Sequence, residues 1–382
     1  MPKSNAVRDT SNALTAIDLF CGAGGFSLGL EKSGFAVLVG VDSWQLALDS
    51  YTKNFKHPVL CADLAAVSGV DILRRVGARR GSVDLVVGGP PCQGFSIQRI
   101  GADHDLRNSL VLEYARLVGE ILPRLFIMEN VPGLLGKRGK ELFKRFLSSV
   151  DDAGFDTEAH IINAADYGAP QLRRRVVVLG WRRIDMGRFP IPEPSTSAEH
   201  YKTVQQAIGD LQTPSPPEIL TPSDPLHRET RLSELNKERL RHIPPGGGME
   251  DLPIQLRVDC HKNGAAKIGH RNVYGRLAPD RPAGTITGRF DSFTRGRFAH
   301  PFNDRNITLR EGARLQTFPD TFRFSGSQED IAAQIGNAVP PVLAEALAKS
   351  AAAALEQTKS DSNVERLRQA RQIVLLDMKA FR

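Results

Sequence analysis

Cysteines and long apolar runs are both scarce in this sequence. Its four cysteines, Cys21, Cys61, Cys92 and Cys260, are scattered without CxxC spacing, which argues against a disulfide framework or a zinc site. No apolar run approaches the roughly 18–20 residues that span a bilayer, and the polar residues 1–9 lack the apolar core of a secretory signal. We therefore expect reduced thiols, a cytoplasmic location, no metal ion and no membrane partner.

Acidic residues are fewer than basic ones, and the basic excess is concentrated in one segment. With 50 Lys and Arg against 43 Asp and Glu, the chain carries a formal net charge of +7. This is compatible with a nucleic-acid partner, although many basic proteins bind none. Residues 256–300 alone contain nine Lys and Arg against three Asp. The 382 residues, 41% hydrophobic and 24% charged, suffice for about two domains of an ordinary globular protein.

Short β-branched runs alternate with amphipathic stretches in the first half of the chain, which is typical of a parallel sheet wrapped by helices. The predicted strands are 16–20, 37–41, 58–62, 83–87, 125–128, 160–163 and 175–180. The apolar spacing predicts helices over 26–33, 44–54, 109–122 and 140–153. We expect a doubly wound α/β domain over residues 14–184, preceded by a disordered tail at 1–13.

Proline interrupts this alternation in the second half. Eight prolines lie between residues 190 and 225, and they predict irregular structure in place of further strands and helices. We expect a smaller, irregular domain over 185–303, with ordered structure resuming near Thr308 in helices at 309–315 and 341–355. Residues 304–356 would return to the first domain. Residues 357–382, with a short helix around 364–376, would form a polar appendage.

A glycine-rich turn follows the first predicted strand, in the sequence DLFCGAGGF at 18–26. Glycines there let the backbone approach a ligand closely, as in nucleotide-binding α/β folds, although a tight structural turn needs them as well. Asp42 follows the second strand about 20 residues later, where such folds place a carboxylate on ribose hydroxyls. Because the spacing is GxGG and not GxGxxG, a mononucleoside cofactor is favoured over a dinucleotide. Asp63, after the third strand, would hold an adenine amino group or be a loop carboxylate in water.

One cysteine lies in a proline-stiffened loop, GGPPCQGFS at 88–96, directly after the fourth predicted strand. Glu129 ends the fifth strand. Open α/β sheets bind ligands beyond the carboxyl ends of their strands, and adjacent strands lie about 5 Å apart, so Cys92 and Glu129 would share one pocket if these strands are neighbours. The apolar strand would desolvate the glutamate and favour it as a proton donor, and the thiolate would be a nucleophile. The alternative is that Cys92 is a small buried hydrophobic residue.

Six blocks along the chain belong together: GAGG at 22–25, PCQ at 91–93, ENV at 129–131, QLRRR at 171–175, REGARLQTFP at 310–319 and GNAVP at 336–340. In their order and spacing, which extend over most of the chain, they resemble the DNA (cytosine-5)-methyltransferase family. One departure is Asp42, where glutamate is commoner in the family, and the change keeps the carboxylate. The resemblance implies a Rossmann-like, S-adenosylmethionine-dependent methyltransferase domain with a doubly wound mixed sheet, and a smaller, irregular target-recognition domain. It favours a bacterial or phage modification enzyme of a restriction-modification system.

The resemblance also implies roles for individual residues. The implied methyl donor is S-adenosyl-L-methionine, held by Asp18, Phe20, Gly22, Gly24, Gly25, Asp42, Asp63, Pro90, Asn337 and Val339. The implied catalytic residues are Cys92, which attacks cytosine C6, Glu129, which acts at N3, and the pair Arg173 and Arg175, which supports the pocket and contacts O2. Asn130 would fix the loop that presents Glu129. For Arg-rich runs in general, phosphate contact or surface charge is an equally common role.

Duplex DNA is the implied substrate, with the target cytosine flipped out of the helix. The implied DNA contacts are Gln93, Ser96, Arg271, Arg276, Thr285 and Arg289. A restriction endonuclease acting on the same site would be a partner, and we expect a monomer. One rival is a tRNA cytosine-5 methyltransferase of the same fold, which the missing Cys-Phe-Thr signature and the long basic segment disfavour. The other is a DNA-binding relative without catalysis, which the complete set of catalytic residues disfavours.

Cys92→Ser removes the predicted nucleophile and keeps a small polar side chain. We expect this variant to retain donor binding and to lose methyl transfer, because a hydroxyl does not replace a thiolate as the attacking group. Transfer of a tritiated methyl group to DNA measures the loss, with Cys61→Ser as the matched cysteine control. Full residual activity of Cys92→Ser would contradict the assignment.

Overall fold

The computed structural model describes residues 13–91, 109–219, 222–259 and 273–358. Four predicted site residues, Cys92, Gln93, Ser96 and Arg271, lie outside the described residues, as does the helix predicted at 364–376.

A seven-stranded sheet organises the first half of the chain. Its strands are β1 (Thr15–Leu19), β2 (Ala36–Asp42), β3 (Val59–Cys61), β4 (Leu85–Gly88), β5 (Leu125–Asn130), β6 (Phe155–Asn163) and β7 (Arg174–Arg182). Their order is β3-β2-β1-β4-β5-β7-β6. Strand β7 runs antiparallel to both β5 and β6, and the other neighbouring pairs are parallel. The prediction of a doubly wound mixed sheet is therefore confirmed.

Helices cover both faces of this sheet. The helices are α1 (Gly25–Lys32), α2 (Gln45–Asn54), α3 (Gly69–Arg75), α4 (Leu110–Ile121) and α5 (Lys140–Asp152). Alternate residues of each strand point to opposite faces: Leu85 packs in the core that contains Phe26 of α1, and Val86 packs in the core that contains Tyr114 of α4. Helix α3 was not predicted, because its seven residues after the Ser68 cap form only about two turns and show little periodicity.

The second half is mostly irregular but contains several short elements, of which only the helices at 309–315 and 341–355 were predicted from the sequence. They are α6 (Val204–Ile208), α7 (Glu234–His242), β8 (Gly275–Arg276), β9 (Arg297–Ala299), α8 (Leu309–Leu315) and α9 (Gln328–Asn337), followed by α10 over 341–358. A capping box between Thr203 and Gln206 starts α6, so this helix forms although prolines flank it. The domain borders given above stay predictions.

The C-terminal helices pack back on the first half. Leu343 and Leu347 of α10 lie in the core beneath α1, and Ile331 and Ile335 of α9 share a core with Leu48 of α2. By length and composition alone, Gln328–Thr358 could cross a membrane, but half of its apolar window is buried inside the protein. These helices therefore serve as core helices of the fold.

Helix α9 approaches the backbone at Thr287 so closely that only glycine fits at the contact. A Cβ added at Gly336 would lie 2.1 Å from the carbonyl carbon of Thr287 and 2.2 Å from its oxygen. Neither backbone atom can move aside without shifting the segment. Gly336 thus sets how closely residues 285–288 lie against α9.

Gly336→Ala should destabilise the protein by about 1–3 kcal/mol, the usual cost of overpacking. In urea unfolding, Gly187→Ala is the matched control, since a Cβ there meets nothing within 4 Å. Equal stability of the two variants would mean that this close approach is not maintained in solution.

Candidate functional site

One cavity of about 1750 Å³ runs along the carboxyl edge of the sheet and between the two halves of the chain. It collects most of the described residues that the sequence assigned to the site. These are Asp18, Phe20, Gly22, Gly25, Asp42, Asp63, Pro90, Glu129, Arg173, Arg175, Thr285, Arg289, Asn337 and Val339. Gly24 and Arg276 do not line this cavity.

The glycine loop after β1 is held by Asp42 at the end of β2. The Gly22 N–H donates to Asp42 Oδ2 at 2.8 Å, and the Trp44 N–H donates to Oδ1 at 2.8 Å. Burial raises the pKa of Asp42, and these backbone donors lower it. Because each carboxylate oxygen has two lone pairs, Asp42 can hold the loop and still accept hydrogen bonds from a ribose.

The backbone of this loop adopts left-handed conformations. Phe20 has φ +58°, Gly22 φ +53° and Gly24 φ +100°. A positive φ is rare for an aromatic residue and occurs mostly at strained, functional positions. A Cβ at Gly24 would lie 2.3 Å from the ring of Phe55. Gly24 therefore makes the turn and the packing possible, while its neighbours line the cavity.

Apolar side chains that the sequence interpretation missed lie beside the two carboxylates. Trp44, two residues after Asp42, and Leu64, directly after Asp63, both line the cavity. Asp63 Oδ1 also accepts the Ala65 N–H at 2.9 Å. Trp44 could have been found from the sequence, because it is one of only two tryptophans and lies two residues after the predicted ligand residue Asp42. Together these residues can hold a flat base against an apolar wall and offer acceptors to its sugar.

Glu129 lies where the sequence predicted it, beside the strand that leads to Cys92. Strands β4 and β5 are parallel neighbours, with Gly88 opposite Met128. Glu129 is 8% exposed, and Arg175 Nε lies 2.7 Å from its Oε1. Pro91, the residue before Cys92, lines the same cavity. The guanidinium compensates the charge of a carboxylate that would otherwise be buried alone.

Asn130 holds the backbone of the segment 89–91 that follows β4. Its Nδ2 donates to the Pro90 carbonyl at 3.0 Å, and its Oδ1 accepts the Val131 N–H at 2.9 Å. Both ends of the amide are therefore used within the protein. Asn130 positions the segment beside Glu129, in agreement with the supporting role expected for it.

Arg173 does not join Arg175 at the carboxylate of Glu129. It is 2% exposed and donates to the carbonyl oxygens of Ile286, Gly336 and Ala338, each at 3.0 Å. Burial lowers the pKa of this guanidinium well below its usual range, and Arg175 lowers it further. These contacts connect Arg173 to the backbone of two segments that line the cavity, and its predicted contact with cytosine O2 stays a prediction.

Gln171 completes this connection between the halves. Its Oε1 accepts the Ile286 N–H at 3.1 Å, and its Nε2 donates to the Leu315 carbonyl at 2.8 Å. The side chain is fully buried. The sequence block QLRRR thus holds backbone from three distant segments.

The predicted DNA contacts among the described residues have different environments. Thr285 Oγ1 donates to the Leu172 carbonyl at 2.9 Å. The side chain of Arg289 is 42% exposed and lies 3.4 Å from both Asp291 and Glu329. Both residues line the cavity, so both remain predicted DNA contacts.

Arg276 requires a correction. It is 4% exposed, and its guanidinium donates to four backbone carbonyls and to Asp304. The carbonyls are those of Leu240, Ile243, His300 and Asn303. A DNA phosphate cannot reach a guanidinium whose donors are used in this way, so Arg276 stabilises the second half of the chain. Within the described ranges, no three His, Cys, Asp or Glu side chains are grouped to hold a metal ion, and the expected absence of a metal stays a prediction.

Comparison with known proteins finds relatives along nearly the whole chain. The family model of C-5 cytosine-specific DNA methylases matches residues 14–353. The Type II methylase M.HgiDII of Herpetosiphon aurantiacus is 35% identical over 338 residues, which cover 87% of this chain and 94% of that relative. The Type II methyltransferase M1.HphI of Haemophilus parahaemolyticus is 38% identical over 350 residues, which cover 88% and 86%. A prophage-encoded protein of E. coli, described as a DNA modification methyltransferase, has a similar crystal structure, with a TM-score of 0.69 and 26% identity over 90% of this chain and 100% of that one.

Arg173→Lys should lower the free energy of unfolding by about 2–4 kcal/mol, because an ammonium group cannot reach three buried carbonyls in the geometry of a guanidinium. Urea unfolding measures the change. Arg174→Lys, at the exposed neighbouring arginine, should stay within about 0.5 kcal/mol of the parent protein. A loss no larger than that of the control would show that these contacts do not connect the halves.

Proposed function

Because the chain belongs to the C-5 cytosine-specific DNA methylase family, we propose that it transfers a methyl group from S-adenosyl-L-methionine to C5 of a flipped cytosine in a specific duplex DNA sequence. It is a DNA cytosine-5-methyltransferase of the Type II restriction-modification kind. The observation that supports the finer proposal is that Glu129, paired with Arg175, shares one cavity with the glycine loop and Asp42.

The residues around the glycine loop fit the proposed methyl donor. S-adenosyl-L-methionine supplies an electrophilic methyl group when it is bound. Asp42 would accept the ribose hydroxyls with the lone pairs that its backbone donors leave. Trp44 and Leu64 would enclose the adenine, and Asp63 would accept its amino group. Asp18 would lie near the ammonium group of the donor, because it is the acidic residue inside the cavity at the end of β1.

The Glu129 carboxyl group would act on the cytosine ring. Cytosine C5 is too weak a nucleophile to take a methyl group directly, so the Cys92 thiolate would add to C6 first. Glu129 would hydrogen-bond or protonate N3 in this step, and electron density would then build at C5. Arg175 would keep Glu129 oriented, while Arg173 would hold the wall of the pocket. Loss of the C5 proton would expel the Cys92 thiolate and restore the aromatic ring.

The arginine-lined wall of the cavity would receive duplex DNA. Arg281, Arg289, Arg295 and Arg297 face this cavity, so phosphates near the flipped base would meet positive charge. Thr285 would contact the DNA backbone beside the flipped base, and Gln93, Ser96 and Arg271 complete the proposed contacts. A monomeric enzyme and a cognate endonuclease acting on the same site are part of the same proposal.

Bisulfite sequencing of plasmid DNA from cells that express the chain tests this function. We expect complete protection from conversion at one cytosine of a short repeated sequence, since a modification enzyme of this kind acts on every copy of its site. Cells with an empty vector are the control. If every cytosine converted in the presence of folded protein, the proposed activity would be wrong.

Glu129→Gln should reduce the rate of methyl transfer by roughly 10² or more, the usual loss when a positioned acid is removed, without preventing donor binding. Glu141→Gln, at a glutamate whose side chain is 79% exposed, should transfer methyl groups at the parent rate. Single-turnover incorporation of tritiated methyl groups measures both variants. An unchanged rate for Glu129→Gln would mean that another group acts at N3.

A further inference from the structure

A buried chain of hydrogen-bonding side chains connects the donor side of the cavity with the protein surface. Ser27 Oγ donates to Asp18 Oδ2 at 2.7 Å and lies 2.5 Å from the Tyr51 hydroxyl. That hydroxyl lies 3.4 Å from His57 Nδ1, and His57 Nε2 lies 3.4 Å from Glu31 Oε1. This series of side chains begins at Asp18, which lines the cavity, and ends at Glu31, whose side chain is 43% exposed.

The fold holds these groups in place tightly. Ser27 and Glu31 lie four residues apart on α1 and therefore on one face of that helix. Ser27 and Tyr51 are completely buried. A Cβ at Gly24 would lie 2.9 Å from the Tyr51 ring, and a Cβ at Gly40 would lie 2.7 Å from its hydroxyl. Gly24 and Gly40 thus leave space for the Tyr51 side chain. The Tyr51 hydroxyl has no role in the proposed chemistry at the cytosine.

Each of the three contacts from Asp18 through Ser27 and Tyr51 to His57 Nδ1 can be made in two directions. With Asp18 ionised, Ser27 donates to the carboxylate, Tyr51 donates to Ser27, and Nδ1–H of His57 donates to Tyr51. With Asp18 protonated, the carboxyl group donates to Ser27, Ser27 to Tyr51, and Tyr51 to a bare Nδ1, while Nε2–H faces Glu31. The second state holds one more proton, on Asp18, because the His57 ring carries one proton in each of these two arrangements, on Nδ1 in the first and on Nε2 in the second. On release, each hydrogen shifts along one bond and one proton leaves from Nε2.

We propose that Asp18, Ser27, Tyr51 and His57 form a proton pathway, through which binding of the positively charged methyl donor releases one proton from Asp18 to the surface at Glu31. This inference rests on the proposed donor. The ammonium group of the donor would attract an ionised Asp18, and the pathway would carry the displaced proton away from the cavity. Ser27 and Tyr51 would be positioning residues, because they act on the donor through Asp18.

Among the buried titratable groups around Asp18, Asp18 is the one whose charge changes near pH 7. Burial raises the pKa of Asp18 to about 7, against the hydrogen bond from Ser27, and nearby Asp42 raises it further. Burial also raises the pKa of the Cys21 thiol and of the Tyr51 and Tyr114 hydroxyls well above their usual ranges, so these three stay neutral near pH 7. His57 and Glu31 are the only other members at the surface end of the pathway.

Calorimetric titration with S-adenosyl-L-homocysteine, which carries the same ammonium group, tests the proposal in buffers of different ionisation enthalpy. Because burial raises the pKa of Asp18 to about 7, the protonated fraction of this carboxyl group falls gradually between pH 6 and pH 8. We therefore expect release of nearly one proton per ligand at pH 6, falling to roughly one tenth at pH 8. Asp18→Asn should abolish the pH-dependent release. Failure of the parent protein to bind the ligand would overturn the proposed donor, whereas binding without release would overturn only the pathway.

Matched tyrosine variants separate the pathway from simple packing. Tyr51→Phe removes the donor to Ser27, so ionised Asp18 loses support and the pH of half-release should rise by about 0.5 units or more. Ser27→Ala, which removes the direct donor, should raise it at least as far. Tyr114→Phe is the control, because the Tyr114 hydroxyl donates to the Val86 and Ile127 carbonyls outside the pathway and its loss should leave the midpoint unchanged. Equal midpoints for Tyr51→Phe and Tyr114→Phe would overturn the pathway.

Discussion

The rest of the site depends on the hydrogen bonds that the buried guanidinium of Arg173 donates to the second half of the protein. This guanidinium donates to three backbone carbonyls, one from the segment after β8 and two from the end of α9. Without the guanidinium, the Ile286 and Gly336 carbonyls would lose this donor, whereas the Ala338 carbonyl would keep the Gln316 amide at 2.6 Å; each buried carbonyl left without a partner costs about 1–3 kcal/mol. Because Gly336 has no Cβ, α9 can lie close to the backbone at Thr287, and this brings the Ile286 and Gly336 carbonyls within reach of the same guanidinium. Together with Gln171, the Arg173 side chain holds the two walls of the cavity against each other.

The direction of β7 places this arginine at the site. Parallel strands bring only their final residues to the carboxyl edge of the sheet, and Glu129 arrives there in this way. Because β7 runs antiparallel to β5, its first residues reach the same edge. Arg175 therefore meets Glu129, and Arg173 lies just beyond the strand, facing the second half of the chain. The two arginines, although close in sequence, act on different partners.

Local patterns predicted much of the fold and part of the site. Seven strands and the main flanking helices could be predicted because buried strands and amphipathic helices have distinct periods. The neighbouring positions of Glu129 and of the segment 89–91, which leads to Cys92, followed from the rule that ligands bind beyond strand ends. The outcome at Arg276 could not be predicted, because burial depends on four carbonyls distant in the sequence. The same holds for Asp18 and Tyr51, whose connection through Ser27 requires three elements to pack. The role of Cys92 as the nucleophile stays a prediction.

The contacts of Arg173 and Gln171 with the second half are made largely to main-chain atoms. A carbonyl oxygen is present whatever side chain its residue carries. Mutations that change the side chains of residues 285–289 can therefore accumulate without breaking the connection, provided that the path of the backbone is kept. The side chains of the proposed DNA contacts in this segment can therefore vary without changing how the segment is positioned relative to Glu129 and Arg175.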